Sequence, residues 1–385
     1  MEYSAAAFFL TFSILKYIIM LYLSIERLDF MDFAYRFPAV KGYQAGKEFY
    51  IAMIPLRFLG KLFGNDDEYV PPEYRAQRRL NTTRIPVIKD YILENRDSYV
   101  FSALAASIDG EYAFSPSGLS DDVGILEISM DAHFVIVDGQ HRKASIIEAI
   151  REDETLNNET ISIVFYEDKG LKHSQQMFTD LNKHAVKTSN SIAELYDSRD
   201  PLAVTTINVI DRIDFLKQYT DKEKDILGKF SSNFFTLNTF YKANKKILSK
   251  VKLSAPPEEF LFKYWSTVAA HILPWRELSN KEISKVDLRE QYIVTQAIII
   301  QALGCLGNYY AQHVDADMAT ELVSLEKVDW SRTAECWKGR VVRPNGKIVN
   351  STDAAHLACN IIKQIIGIPL NQEDQKIEEQ FQKVK

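Results

Sequence analysis

One stretch in the first half of the chain combines a strand pattern, a turn residue and a helix start. The apolar, largely β-branched run Phe134-Val135-Ile136-Val137 stops at the polar cluster Asp138-Gly139-Gln140-His141-Arg142. The following residues, Ser145 to Arg151, place apolar side chains at helical spacing. The pattern predicts a buried strand that ends at Asp138, a tight turn at Gly139, and a helix whose first turn holds Gln140, His141 and Arg142.

This predicted corner is suited to binding an anion, because backbone N–H groups and the positive end of the helix dipole meet at a helix start. Arg142 and the helix start would hold a phosphate, and His141 would donate a hydrogen bond or transfer a proton near neutral pH. Asp138 has three open roles, which are to bind a magnesium ion, to orient Arg142 or to activate water. The structural alternative is an Asp138–Arg142 pair that only locks the turn.

A second polar group follows the helical pattern of Ser174 to Leu181. It contains Asp180, Asn182, Lys183, His184 and Lys187. Asn182 and Lys187 are predicted to reach the same phosphate from the opposite wall. In the alternative interpretation Asn182 caps a helix end and His184 is simply solvated.

Two basic stretches are candidates for DNA contact. The first, with Tyr74 interleaved, contains Arg75, Arg78, Arg79 and Arg84, and the second contains Lys242, Lys245, Lys246 and Lys250. The four lysines are predicted to share one side of a helix. Such a face would add affinity mainly by counterion release, with little sequence selectivity. A solvated loop and an ordinary lysine face are the alternatives.

The order of the predicted elements gives an α+β domain followed by an α-helical domain. Strands are predicted at 33–37 and 49–54 (a hairpin), 99–104, 124–129, 134–137 and 161–166, and helices at 86–92, 142–151 and 174–181. Helical spacing dominates from residue 202, over 202–219, 232–252, 257–274, 287–312 and 352–366. The predicted domains are residues 31–200 and 201–385, joined by the exposed segment 197–201.

Composition excludes several classes of protein. The net charge of −6 argues against wholesale coating of nucleic acid, although it permits a local basic face. The three cysteines, Cys305, Cys336 and Cys359, form no CxxC pair, so we expect reduced thiols in a cytoplasmic protein, without a disulfide framework or a zinc site. The chain has no GxxxxGK[ST] loop and no dinucleotide fingerprint. A nucleotide would therefore have to bind at the 138–142 corner.

Two apolar runs raise the question of a membrane. The run from Ala5 to Leu23 is about long enough to span a bilayer. Either it is a membrane anchor, or the natural start is Met31 and residues 1–30 are a mis-assigned extension; we favour the second, because a soluble domain pattern begins at once after Met31. The run from Tyr292 to Gln312 carries too many polar groups for lipid and is predicted to be a buried helix. Trp265, Trp330 and Trp337 are predicted to be core or interface aromatics.

Four motifs together carry a family resemblance. They are Asp138-Gly139-Gln140-His141-Arg142; the basic segment Arg78-Arg79-Leu80-Asn81 with Arg84-Ile85-Pro86; Phe178-Thr179-Asp180-Leu181-Asn182 with Lys187-Thr188-Ser189; and Leu195-Tyr196-Asp197-Ser198-Arg199-Asp200-Pro201. From about residue 31 to the C-terminus, the chain resembles the DGQHR-domain family, and within it the DndB family of DNA phosphorothioation proteins.

The resemblance implies a core similar to that of the ParB/sulfiredoxin superfamily, which uses an equivalent corner to hold nucleotide phosphates or to act on DNA. It also implies a bacterial regulatory protein that binds double-stranded promoter DNA and represses the modification operon. The expected partners are that DNA, other phosphorothioation-system proteins and a second copy of the chain. ATP or another NTP with Mg²⁺ is the candidate cofactor, and no iron–sulfur cluster is expected.

Two other functions stay open at this point. The corner of Asp138, His141 and Arg142, with Asp138 as a metal ligand, would suit a nucleotide hydrolase or a DNA-nicking enzyme. Alternatively, the corner only stabilises the fold, and the chain is a non-catalytic interaction subunit.

Overall fold

The computed structural model describes residues 33–64, 80–118, 120–183, 188–253, 255–313 and 315–384. The apolar run at residues 5–23 lies outside the described residues. The chain divides into two compact units, with the change between residues 186 and 187. The segment 188–200, which the sequence analysis assigned to the first domain, therefore belongs to the second unit.

The first unit is built on a mixed sheet of seven strands within the described residues. The strands are β1 (Ala34–Gln44), β2 (Lys47–Pro55), β3 (Leu104–Asp109), β4 (Tyr112–Pro116), β5 (Val123–Ser129), β6 (His133–Asp138) and β7 (Thr160–Glu167). Their order is β4-β5-β1-β2-β7-β3-β6, and β3 and β7 are parallel while the other neighbours are antiparallel. The predicted hairpin is confirmed, because β1 pairs with β2 around the turn at residues 45 and 46.

The first unit has four described helices: the first three share one apolar core with the sheet, and the fourth contacts β6. They are α1 (Leu59–Leu62), α2 (Arg84–Glu94), α3 (Gln140–Glu152) and α4 (Leu171–Lys183), with 3₁₀ turns at Leu56–Phe58 and Glu154–Asn158. The inward side chains of the central strands, such as Tyr50, Ile163 and Phe165, form one apolar core with Ile92 and Ile146 of the helices. The described chain thus has the mixed α and β character that the sequence predicts.

The predicted strand at residues 99–104 is wrong; the strand β3 begins where it was expected to end. Side chains, and not a neighbouring strand, hydrogen bond to the backbone of this segment. The Tyr91 hydroxyl accepts from the N–H of Val100, and the Arg142 guanidinium donates to the carbonyls of Ser102 and Ala103. Since these backbone groups already have hydrogen-bond partners, they are not available to pair with a neighbouring strand.

The second unit is helical apart from a two-residue parallel pairing of β8 (Thr220–Asp221) with β9 (Phe235–Thr236). Its helices are α5 (Asn190–Tyr196), α6 (Pro201–Arg212), α7 (Asp214–Tyr219), α8 (Leu237–Ile247), α9 (Pro257–His271), α10 (Leu273–Ser279), α11 (Lys285–Gln291), α12 (Ala297–Gln312), α13 (Met318–Glu321), α14 (Thr352–Ile366) and α15 (Gln372–Val384), with 3₁₀ turns at Leu322–Lys327 and Glu335–Trp337.

The long apolar helix α12 lies inside this unit, as predicted. Ten of its residues are buried, and it packs between α8 and α14. Trp265, Trp330 and Trp337 are all buried in the same core, which confirms their assignment as core aromatics. None of the described helices has the length and apolar character needed to cross a membrane.

Helix α8 ends earlier than the sequence predicts. It was expected to continue to residue 252, but its last residue is Ile247, and Lys250 has a left-handed backbone with φ of 58°. The side-chain amide of Asn308 donates to the carbonyls of Ile247 and Ser249, at 2.9 and 3.0 Å. This amide therefore satisfies carbonyl groups at the helix end that would otherwise favour another turn.

Candidate functional site

The corner between β6 and α3 has the predicted geometry. Strand β6 ends at Asp138, Gly139 follows in the left-handed region with φ of 99°, and α3 begins at Gln140. A Cβ atom on Gly139 would lie 2.4 Å from Cδ2 of Leu104. Glycine is therefore required here both by the backbone conformation and by the lack of space.

Arg142 makes four hydrogen bonds within the protein. Its Nη2 donates to Oδ2 of Asp138 at 2.5 Å, and its Nη1 donates to the carbonyls of Ser102 and Ala103 at 2.6 and 2.7 Å, and to the Ser102 hydroxyl. The arginine side chain is 18% exposed and the aspartate side chain 42%. These contacts tie the turn to the segment that precedes β3, so they match the structural alternative for the Asp138–Arg142 pair.

His141 is also committed to a structural contact. The side chain is buried, and its Nε2 accepts the backbone N–H of Asn81 at 2.9 Å. A nitrogen that accepts a hydrogen bond carries a lone pair and no proton, so in this geometry the imidazole is neutral with its proton on Nδ1. Its Nε2 is consequently occupied and does not serve as a proton donor to a ligand.

A cleft of about 220 Å³ opens beside the corner. The residues that line it come from three helices, the end of β6 and the turn, namely Arg84, Ile88, Val137, Asp138, Gly139, Gln140, His141, Arg142, Phe178 and Asn182. The structure therefore brings the second motif, through Phe178 and Asn182 of α4, to the same cleft as the 138–142 corner. Phe178 is part of a family motif in the sequence but was given no role, and Ile88 was not singled out, because isolated apolar residues on a helix carry no functional signal.

Arg84 supplies a cation to this cleft. It is the first residue of α2, it is exposed, and no ion pair to it is formed within the described part of the chain. Asn182 is exposed as well, and its amide nitrogen donates to the carbonyl of Phe178 at 2.8 Å in its own helix. Arg84, Asn182 and the start of α3 thus line the cleft together with the partly exposed carboxylate of Asp138.

The cleft fits a phosphate group better than a magnesium nucleotide. Its volume lies below the range of roughly 300–1,000 Å³ that is usual for small-molecule sites. Asp138 is the one carboxylate among the described residues that line it, and the described residues contain no cluster of three metal-ligating side chains. Since Asp138 also accepts from Arg142, the described lining of the cleft offers Mg²⁺ a single, shared carboxylate.

Several of the predicted site residues lie outside the described residues, namely Arg75, Arg78, Arg79, His184 and Lys187. The prediction for these residues stays a prediction.

The second basic stretch is only partly a lysine face. Lys242 and Lys245 are exposed on α8, whereas Lys246 is half-buried and Lys250 lies beyond the helix end. The prediction that all four lysines share one side of a helix is therefore wrong. Lys246 instead lies close enough to Cys305 of α12 to lower the pKa of its thiol.

This thiol is a feature that the sequence analysis missed. A hydrogen bond from Cys359 lowers the pKa of Cys305 to about 6, and Lys246 and His356 act in the same direction. Two cysteines that are 54 positions apart give no motif in the sequence, so only the packing of α12 against α14 reveals the pair.

Comparison with known proteins identifies the family. No curated protein and no solved structure shows significant similarity to the chain. The DndB family, described as DNA-sulfur modification-associated, matches residues 37–369. This range includes the described parts of the cleft and most of the helical unit. The match confirms the resemblance seen in the motifs: the chain belongs to the DndB family of DNA-sulfur modification-associated proteins.

Proposed function

We propose that the chain is a DNA-binding regulatory protein of a bacterial DNA phosphorothioation system, and that it represses the modification operon by binding its promoter. The observation that carries this proposal is that the polar groups at the cleft have two different uses. The three groups expected to be reactive make structural contacts, while Arg84, Asn182 and the start of α3 face the opening. Such a site suits binding of a phosphate without turnover.

Catalysis would require a different arrangement of the same residues. A general acid or base must exchange a proton with the substrate through an atom that the substrate can reach. Nε2 of His141 instead accepts the N–H of Asn81. An activated water would need Asp138 free, and its Oδ2 accepts from Arg142. A core of the ParB/sulfiredoxin type is part of the proposal, since its strand–turn–helix corner is the kind found between β6 and α3.

The exposed lysines of α8 would add sequence-independent affinity. Lys242 and Lys245 face solvent, so each would neutralise one DNA phosphate and release counterions. Lys246 is half-buried against Cys305 and would contribute less. Double-stranded promoter DNA is therefore the proposed partner, and other phosphorothioation-system proteins and a second copy of the chain are further candidates.

The test measures binding and turnover together. Labelled promoter-region duplex is titrated with the protein by fluorescence anisotropy at several salt concentrations, with and without ATP, GTP or CTP and Mg²⁺, and hydrolysis is followed in the same samples. We expect DNA binding without turnover. R84A should weaken binding by about tenfold, consistent with a charge-assisted contact worth roughly 1.4 kcal/mol. K245A should flatten the slope of log affinity against log salt by about 0.9, and K246A by much less.

R151A is the matched control for R84A. Arg151 is an exposed arginine on α3 that pairs with Glu148 and lies at the opposite end of that helix from the cleft. Equal effects of R84A and R151A on DNA affinity would show that Arg84 acts only through the overall charge of the protein and not through a contact in the cleft. Nucleotide turnover that D138A abolishes would overturn the proposal in favour of the enzyme, and the absence of both DNA binding and turnover would favour the interaction subunit.

A further inference from the structure

The loop of residues 222–234 in the helical unit is firmly held at its base. Arg289 of α11 donates to the carbonyls of Lys229 and Asn233, at 2.6 and 2.7 Å. On the other side, Asp225 accepts the backbone N–H groups of Asn190 and Ser191, at 2.8 and 2.9 Å. The backbone of this loop therefore has a defined path.

Despite these anchors, the loop exposes two large apolar side chains. Phe230 is 93% exposed and Ile226 is 86% exposed. Phe234, at the end of the same loop, is buried. An aromatic ring held in water by an ordered backbone forgoes the free energy of burial, so its full surface is available for contact with another molecule.

Cations lie beside this ring and beside two buried aromatic residues of the same region. The Nζ of Lys229 lies 5.8 Å from the centre of the Phe230 ring, and Arg289 lies 5.2 Å from the centre of Phe234. Phe234 contacts Tyr219, with ring centres 5.0 Å apart, and Lys285 of α11 lies 5.0 Å from the Tyr219 ring. We call the exposed part of this array, Lys229, Phe230, Lys285 and the adjacent Lys224, the cation–aromatic surface.

The charges of this surface are available to a ligand. Lys224, Lys229 and Lys285 are exposed, and none of them forms an ion pair within the described residues. Two nearby acids are used to fix the backbone instead: Asp221 accepts the N–H groups of Glu223 and Lys224, and Asp287 accepts that of Ser284. A ligand with negative charge next to a flat ring would satisfy both kinds of group.

From these contacts we propose that the cation–aromatic surface binds DNA, with the Phe230 ring stacked on a base and Lys229 and Lys285 on the flanking phosphates. Lysines track the sugar–phosphate backbone, and exposed aromatic rings stack on bases that are unpaired or unstacked. The base comes either from a single strand or from a step of duplex that the ring wedges open. The inference rests on the proposed DNA binding, but it uses residues that the cleft and α8 do not contain.

The test compares Phe230 variants by anisotropy with a labelled mixed-sequence single strand of 20 nucleotides and with the corresponding duplex. F230A should lower the affinity by roughly 5- to 150-fold, the range for loss of one base–aromatic stack, while F230W should keep it. The loss should appear with the single strand if the base is already unpaired, and with the duplex if the ring acts as a wedge. Y196A is the matched control, because Tyr196 is a 77% exposed aromatic residue of the same unit.

F230W also gives a spectroscopic signal. The four native tryptophans are all buried, with exposures between 0 and 2%, so acrylamide should quench mainly the introduced indole. DNA should protect that indole from acrylamide and quench its fluorescence by stacking.

Each adverse outcome has a distinct meaning. If the unmodified protein binds DNA and F230A binds equally well, with the indole still accessible, the inference is overturned and the proposed DNA binding stands. If the indole is protected by rising protein concentration and not by DNA, the surface binds a second copy of the chain, and the inference is again overturned. If the unmodified protein binds neither oligonucleotide, the proposed function itself fails.

Discussion

Gly139 is constrained in two separate ways, which makes it the residue whose replacement is easiest to predict. Its φ of 99° is unfavourable for any side chain, and a Cβ atom would meet Leu104 at 2.4 Å. G139A should lower the free energy of unfolding by about 2–4 kcal/mol, from strain plus displacement of a buried leucine. Urea denaturation followed by circular dichroism measures this.

Gly118 separates the two causes. It also has a positive φ, of 79°, but a Cβ atom there would meet nothing within 4 Å. G118A should therefore cost only the backbone strain, about 1 kcal/mol. Equal losses in the two variants would show that the contact with Leu104 relaxes freely.

Arg142 and Asp138 should contribute unequally to stability although they form one ion pair. The arginine hydrogen bonds to the carbonyls of Ser102 and Ala103 as well as to Asp138, whereas the aspartate has the larger exposure, 42% against 18%. R142A should cost about 2–3 kcal/mol because it leaves several acceptors without a donor, and D138A about 1 kcal/mol. Thermal unfolding of the two variants gives the comparison, and a larger loss in D138A would contradict it.

At the level of secondary structure elements, the sequence predicts those whose pattern is local. The β6–turn–α3 corner is set by a β-branched run, one glycine and an amphipathic repeat, and all three signals lie within adjacent residues. Strand β3 was misplaced, because its pairing partners are the distant strands β6 and β7, and the five-residue strand β4 was missed. The end of α8 was missed for a similar reason, since it depends on Asn308, which is 61 residues further along.

The candidate site follows the same rule. The polar residues of the 138–142 corner and Asn182 could be singled out from the sequence, because polar residues at a strand end and at a helix end are local signals, whereas their convergence at one cleft depends on the fold. The partners that occupy Arg142 and His141 were not predictable. They are backbone groups of Ser102, Ala103 and Asn81, and any residue type can supply a carbonyl or an N–H group.

Helix α5 should make the stability of the second unit depend on pH. Its Glu194 accepts from the Asn238 amide at 2.6 Å, its other oxygen is buried without a partner, and burial raises the pKa of the carboxyl from 4.5 to about 7. Between these two values the folded protein holds a proton that the unfolded chain releases. The contribution of Glu194 to stability is therefore present below pH 4.5 and is lost as pH rises to 7.

E194Q should remove this part of the pH dependence, since glutamine keeps a hydrogen-bond acceptor but does not ionise. We expect E194Q to be more stable than the unmodified protein by about 1 kcal/mol at pH 8, after allowance for solvent screening, and to lose that advantage at pH 5. Urea titrations at pH 5, 6, 7 and 8 test it. E223Q, at an exposed glutamate in the neighbouring loop, is the control, and a parallel pH profile for E194Q and E223Q would contradict the prediction.

For the whole molecule, the two units have separate apolar cores. The core of the first unit joins the sheet to α2 and α3, and that of the second joins the long helices around α12; no residue belongs to both. Helix α15 is fixed to the second core by two buried ion pairs, Lys363–Asp374 at 2.7 Å and Arg340–Glu378 at 2.6 Å. Such pairs stabilise little overall, but loss of one partner leaves an uncompensated buried charge.

D374A should therefore destabilise the second unit by about 3–5 kcal/mol, because it leaves the Lys363 ammonium, 7% exposed, without its carboxylate. The double variant K363M/D374L should recover most of this loss, since apolar side chains of similar size remove both charges. Hydrogen exchange read segment by segment measures where the loss falls. In D374A we expect protection to fall in α12, α14 and α15 and to persist in β1, β2 and β7, whereas G139A should show the reverse pattern. A uniform loss across both cores in either variant would mean that the two units unfold as one, and failure of the double variant to recover would mean that the ion pair stabilises more than its desolvation costs.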